Sequence, residues 1–222
     1  AKTAYYDSLI SQWFNQELNI SWPETITISG NLSRELRYGE NPHQKSAVYE
    51  SSNSSLNGIV KAKLLQGKPL SYNNINDADA AYELINEFSK PTIAIIKHAN
   101  PCGVSSKKHI IDAWESALMT DPQSAFGGIV SSNSEINEAL ALKMNEIFLE
   151  VIIAPKFTKD ALKILSIKKN VRVLQTNKLA KVNNKIIKDL ADGFLIQDRD
   201  KKSLDIKNLN IVTNKKPTTQ ET

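Results

Sequence analysis

Tyr5, Leu9, Ile10, Trp13 and Phe14 recur at spacings of three to five near the start of the chain, the pattern of one apolar face on an amphipathic helix. Trp22-Pro23 is expected to end it. Glu24 to Ile28 then alternates polar and apolar as a strand would. Another short strand is expected at Ser46 to Tyr49, after the polar loop Leu36 to Gln44, which Gly39 and Pro42 break. Beyond Gly67-Lys68-Pro69 the pattern changes to helix, with Asn76 or Asp77 as cap and Ala80, Ala81, Leu84, Ile85 and Phe88 as buried stripe. Pro91 stops that helix. Thr92 to Ile96 is a short, continuous apolar run rich in β-branched residues, which predicts a strand covered on both faces.

The alternation continues. Helix is expected around Lys107 to Met119, with Ile110, Ile111, Trp114 and Leu118 facing inward, until Asp121-Pro122 breaks it. Phe126 to Val130 reads as a loop entering a strand, Glu135 to Phe148 as helix, Val151 to Ala154 as strand and Lys159 to Leu165 as helix. Val171 to Leu174 and Gly193 to Ile196 supply late strands. Strands alternating with helices predict an α/β fold, a layered, mainly parallel or mixed sheet with helices on both faces.

Composition narrows the class. With 41% apolar and 23% charged residues over 222 positions, the chain reads as a soluble globular protein. No apolar run approaches the roughly 20 residues of a membrane helix, and the first residues lack the plan of a signal peptide. A single cysteine, Cys102, excludes an internal disulfide and fits a reducing, cytoplasmic setting. The net charge of +4 is uneven, since Lys156 to Lys216 holds 16 Lys/Arg against 6 Asp/Glu. Those cations are interleaved with Asn, Asp and apolar residues and lack repeated aromatics. They read as a solvated basic face, and neither nucleic acid nor membrane is expected as a partner.

Lys97 and His98 follow the apolar strand directly, and ligands of α/β sheets bind beyond strand ends. A histidine there serves as a base near neutral pH, and an adjacent lysine supplies charge or a proton. Adjacent strand residues point to opposite faces, so both reach one ligand only if the strand ends at that point. A surface lysine beside a hydrogen-bonded structural histidine is the competing reading, and on chemistry alone the two stand level. Pro101-Cys102 also invites comparison with zinc nucleobase deaminases, whose Pro-Cys-x-x-Cys and His-x-Glu motifs hold a metal. Here the second cysteine and any His-x-Glu are missing, so no metal is expected and Cys102 reads as a small, buried residue.

Weaker signals surround that pair. Arg37 and Tyr38 offer a phosphate-binding fork and a hydroxyl, or a surface arginine packed on its neighbour. Gly127 in Ser124 to Gly128 allows backbone to approach a ligand, or serves an ordinary turn. Asn73-Asn74 bind a polar ligand or cap a helix. Glu150 binds a ribose diol or is simply solvated.

Leu36-Arg37-Tyr38-Gly39-Glu40-Asn41-Pro42-His43-Gln44, Ser71 to Ala78, Lys97-His98-Ala99-Asn100-Pro101-Cys102-Gly103, Ser124 to Val130 and Glu150 to Pro155 occur in that order. Together they resemble the bifunctional purine-biosynthesis family that combines aminoimidazole carboxamide ribonucleotide (AICAR) formyltransferase with IMP cyclohydrolase. The similarity is dense from Arg34 to Leu174 and thinner beyond. It implies a transformylase domain of two subdomains with a cytidine deaminase-like fold lacking zinc, of which 25–222 is similar to the first. Residues 1–24 would be a helix and linker following the cyclohydrolase domain. The resemblance implies formyl transfer from the co-substrate 10-formyltetrahydrofolate to the 5-amino group of AICAR. In it His98 is the base and Lys97 the oxyanion stabiliser or proton donor. Arg37 and Tyr38 contact phosphate and nucleotide, Asn74 and Gly127 offer base or backbone contacts, and Glu150 contacts the ribose. It also implies a homodimer with the site at the interface. The alternative is a deaminase-like nucleotide-binding fragment without catalysis of its own. A capping-box pattern at Thr218 to Glu221 with only Thr222 behind it, and an opening directly into a helix without Met, predict a fragment.

Overall fold

The computed structural model describes residues 1–52, 58–176, 185–202 and 210–218. Residues 219–222, which hold most of the expected capping pattern, and 177–184 lie outside them. The chain divides into two compact units, 1–182 and 183–222.

The first unit is built on a six-stranded sheet of β3 (Lys63–Gln66), β4 (Thr92–Lys97), β5 (Asn100–Ser106), β6 (Gly128–Ser132), β7 (Leu149–Ala154) and β8 (Arg172–Gln175). Their spatial order is β3-β8-β7-β6-β4-β5. The middle strands β6, β7 and β8 run parallel, while β4 runs against β6 and β5, and β3 against β8. The sheet is therefore mixed, and the apolar runs are strands because both faces are buried.

Alternation along each strand sends successive side chains to opposite faces. Ile93, Ile95, Val130, Ile152 and Val173 enter one core with Trp114, Leu140 and Leu165, from α3 (Ile110–Thr120), α5 (Glu138–Met144) and α6 (Lys159–Leu165). Ile96, Ile129, Val151, Ile153 and Leu174 enter the other, against Ala78, Ala81, Tyr82 and Ile85 of α2 (Tyr72–Ile85). The expected layered α/β architecture with helices on both faces is present.

Several boundaries differ from the sequence reading. The first helix, α1 (Lys2–Glu17), stops short of Trp22-Pro23 because Asn19 turns left-handed at φ 54°, and the amides of Leu18, Asn19 and Ile20 close on the last turn. Its apolar residues Ile10, Trp13 and Phe14 are exposed, and its one buried residue is Ser8. Glu24 to Ile28 forms no strand. Instead the Ser8 hydroxyl donates to Thr27 Oγ1 at 2.8 Å and the Gln12 amide to Ser29 Oγ at 3.1 Å, and pairing starts with β1 (Gly30–Leu36) against β2 (Ser46–Ser51).

Ser71, not Asn76 or Asp77, caps α2. Its hydroxyl accepts from the Asn74 amide, and the Asn74 side chain accepts from the Ser71 amide, a reciprocal capping box. Packing on the sheet buries Asn74, Ala78, Ala81, Tyr82 and Ile85, leaving Ala80, Leu84 and Phe88 of the expected stripe half-buried. At α5 the expected Glu135 to Phe148 shortens, because Asn137 caps it and Ile136 bridges Phe157. A short α4 (Pro122–Ala125) precedes β6. The second unit contains a hairpin of β9 (Lys185–Leu190) and β10 (Gly193–Asp198). Among the described residues no helix is long and apolar enough to cross a membrane.

Candidate active site

An open groove of about 1010 Å³ is lined by Tyr38, Asn74, Lys97, His98, Gly127 and Glu150. It lies at the carboxyl end of β4, the amino ends of β6, β7 and β8, and the amino end of α2. Because β4 runs antiparallel to β6, one edge of the sheet collects residues from both kinds of strand end. Six of the seven candidate site residues thus share one groove. Arg37 is absent from its wall, and its exposed guanidinium lies 5.5 Å over the Tyr38 ring.

Lys97 is the last residue of β4 and pairs with Asn100, the first of β5. The two-residue loop between them is His98-Ala99, with φ 53° and 58°. Positive φ at both positions is the turn that matches strand twist, normally built from Asn-Gly. Here it is made by residues with a Cβ, each at a cost of about 1–2 kcal/mol. Asp77 of α2 sits under the loop. Its Oδ1 accepts from the Ala99 amide at 2.9 Å and its Oδ2 from the His98 amide at 3.3 Å. The Asn100 side-chain Nδ2 donates to the His98 carbonyl at 2.8 Å. The strand thus ends at the point where Lys97 and His98 both line the groove. Pro101 stands inside β5 rather than in a turn, a position an edge strand tolerates. The bulge between Ile95 and Ile96 in the β4–β5 ladder leaves Cys102 as the extra residue.

Several polar groups of the groove are held by hydrogen bonds. Lys97 is half-buried and its Nζ donates to the Phe126 carbonyl at 2.8 Å, which leaves further N–H donors for a ligand. Asn74 is buried, and its Nδ2 donates to Glu150 Oε2 at 2.7 Å, leaving the other carboxylate oxygen without a donor from Asn74. Gly127, at φ 71°, gives its amide to the Phe148 carbonyl at 2.8 Å, so its remaining polar atom for a ligand is the carbonyl. The rings of Phe126 and Phe148 stand 5.6 Å apart on the groove wall and offer an apolar face for a planar ligand. The loop entering Phe126 is anchored at Asp121, whose carboxyl is held below its ordinary value by the Ser124 hydroxyl and then the Ser124 amide. Burial pushes the Cys102 thiol up, and its Sγ contacts the Ile95 carbonyl at 3.5 Å. Among the described residues no three His, Cys, Asp or Glu side chains gather as a metal site.

A model of the family described as AICARFT/IMPCHase bienzyme matches residues 1–222. The chain belongs to this family. It is 45% identical over 226 residues to the bifunctional purine biosynthesis protein PurH of Acetivibrio thermocellus, covering 99% of this chain and 43% of that protein. It is 44% identical over 220 residues to the PurH of Bacillus cereus, again covering 99% of the chain and 43% of the relative. The chain spans less than half the length of these relatives.

In this member of the bienzyme family the groove also contains residues that the sequence reading did not single out as site residues. Asp77 was visible only as a helix-cap candidate. Lys68 and Arg172 line the groove and form no ion pair among the described residues, and the buried Arg172 Nε has no hydrogen-bond partner. Lys68 follows β3 and Arg172 opens β8, so the β3–β8 pairing brings both to the groove wall, and no local signal marks them.

Proposed function

We propose that this chain is the first subdomain of the transformylase domain, cytidine deaminase-like without zinc, in a protein that transfers a formyl group from 10-formyltetrahydrofolate to AICAR. The observation that carries the reading is the meeting of five separated sequence motifs on one groove, with the Lys97-His98 pair at a strand end. The whole protein, as a homodimer sharing the site, is the unit to which activity is assigned, since this chain covers 43% of its relatives.

The 5-amino group of AICAR is a weak nucleophile, because its lone pair is delocalised into the ring and toward the carboxamide. In this reading His98 takes the proton that the nitrogen loses as it bonds to the formyl carbon, directly or through the carboxamide. Lys97, already oriented by the Phe126 carbonyl, stabilises the oxygen of the tetrahedral intermediate or protonates the folate nitrogen as its bond to carbon breaks. Glu150, held on one oxygen by Asn74, accepts a ribose hydroxyl on the other. Gly127 contributes its backbone, and Phe126 and Phe148 stack on a planar ring. Both substrates carry anionic groups, a phosphate and the folate carboxylates. Arg37 beside Tyr38, and Lys68 and Arg172 on the groove wall, are cationic positions available to them beside Lys97.

The test is steady-state formyl transfer by the full-length protein carrying His98→Ala or Lys97→Ala. Each is expected to lose at least about a hundredfold in kcat, the usual scale for a general acid or base. Near-parental turnover in both variants overturns the assignment.

A further inference from the structure

We infer that Asp77 is a positioning residue for formyl transfer: its carboxylate clamps the His98-Ala99 turn and so sets where His98 stands. The inference rests on the reading of His98 as the base, and deepens it. Three observations carry it. His98 and Ala99 both hold positive φ, 53° and 58°, without a glycine to relieve either, a conformation that side-chain-bearing residues keep only when their surroundings impose it. The imposing group is identifiable, since the two oxygens of one carboxylate take the two consecutive amides of that turn at 2.9 and 3.3 Å. Successive amides converging on one anion form a compact concave donor site, and hydrogen bonds to an ionised acceptor are the stronger kind.

The third observation is where Asp77 stands. It belongs to the first turns of α2, the same helix end that supplies Asn74 to Glu150. One rigid helix terminus thereby fixes both sides of the groove, Glu150 through Asn74 and His98 through Asp77. The carboxylate is spent on backbone amides, so Asp77 acts on His98 through the turn and not by orienting its ring.

The experiment compares full-length Asp77→Ala, Asp77→Asn, Ala99→Gly and the double variant Asp77→Ala/Ala99→Gly in steady-state formyl transfer. Asp77→Ala is expected to lower kcat at least tenfold with KM for both substrates within threefold. Asp77→Asn, which replaces one acceptor oxygen by a donor, is expected to follow it. Ala99→Gly alone stays within threefold of the parent, because glycine adopts positive φ freely. In the double variant glycine restores the turn, and kcat is expected to rise at least fivefold over Asp77→Ala. Because glycine at a positive-φ position also stabilises the fold, circular dichroism at the assay temperature is run on every variant and kcat is compared only among folded ones. The inference is overturned if Asp77→Ala or Asp77→Asn stays within threefold of the parent, or if the glycine rescues nothing. Should Asp77→Ala fail to fold, Asp77→Asn with and without Ala99→Gly is read by the same criteria. His98→Ala is run alongside. If it retains parental turnover the base assignment fails, and the clamp is then judged on a crystal structure of Asp77→Asn. Residues 98 and 99 leaving positive φ support the clamp, and their staying there overturns it.

Discussion

Gly103 ends the Lys97 to Gly103 motif, and the structure gives it a packing role that a single methyl group would test. A Cβ built at Gly103 would stand 2.1 Å from the Ala117 carbonyl oxygen and 2.9 Å from its carbon. Real Cβ atoms essentially never approach within 3.0 Å of a heavy atom, so in Gly103→Ala the hairpin and α3 have to separate by about 1 Å in a close-packed interior. The obstacle is backbone in a helix, which has no rotamer to yield. Ala113, Trp114 and Ala117 on that face of α3 are all buried to within 1%, and their contacts with the sheet loosen together. The cost therefore falls at or beyond the upper end of the usual overpacking range, about 3 kcal/mol.

For a chain of this size that corresponds to a fall in Tm of roughly 6–12 °C. Trp114 provides the optical probe, because it is buried while Trp13 and Trp22 are more than half exposed. Thermal unfolding followed by tryptophan fluorescence is expected to show the lowered Tm together with a red-shifted native spectrum. Gly58→Ala is the control, since nothing lies within 4 Å of its added Cβ, and its effect is expected within about 0.5 kcal/mol. A Gly103→Ala protein that melts within 2 °C of the parent with an unchanged native spectrum refutes the reasoning.

Two further predictions follow from charged groups. Asp121→Asn removes the carboxylate that Ser124 holds below its ordinary value of 3.8. A depressed folded pKa gives stability that is complete above the unfolded value and disappears as pH falls through the folded one. The stability gap between parent and variant in urea unfolding is therefore expected at neutral pH and should close below 3.8. A gap unchanged at about pH 2 excludes the linkage. Arg172→Ala is expected to raise KM for AICAR or for the folate at least tenfold, as loss of a charge-assisted contact does, with fold retained by circular dichroism. Unchanged KM for both substrates removes Arg172 from the anion-binding set.

The sequence showed most plainly those parts of the fold whose cause is local. The run Thr92 to Ile96 is uniformly apolar because both faces of β4 are covered, and five buried residues confirm that it needed no partner to be recognised. Lys159–Leu165 came out as read, with Thr158 capping and Asp160 and Lys163 at the favourable ends. Asn100-Pro101 carries a local turn signal yet stands in β5, and only the sheet order reveals that β5 is an edge strand, where proline is tolerated. In α1 the periodicity identified a helix correctly but implied a buried apolar face. The contacts to Thr27 and Ser29 instead run through Ser8 and Gln12, because spacing reports which residues share a face and not what that face meets.

The same distinction separates the legible and illegible parts of the groove. Lys97, His98, Asn74, Gly127 and Glu150 sit at strand ends or helix starts, where polar residues interrupt apolar runs and attract notice. Asp77 and Arg172 do not interrupt anything. Asp77 occupies a place where a cap is the ordinary expectation, and its true partners are the amides of His98 and Ala99, reached only when α2 packs beside the β4–β5 hairpin. Arg172 opens a short strand, and it shares the groove wall with Lys68 because β3 pairs with β8. A catalytic side chain has to be chemically conspicuous, whereas the residues that hold it are chosen for where tertiary packing puts them. The part of this site most open to mutational surprise is therefore its support at Asp77, where one carboxylate holds a turn that its own sequence disfavours.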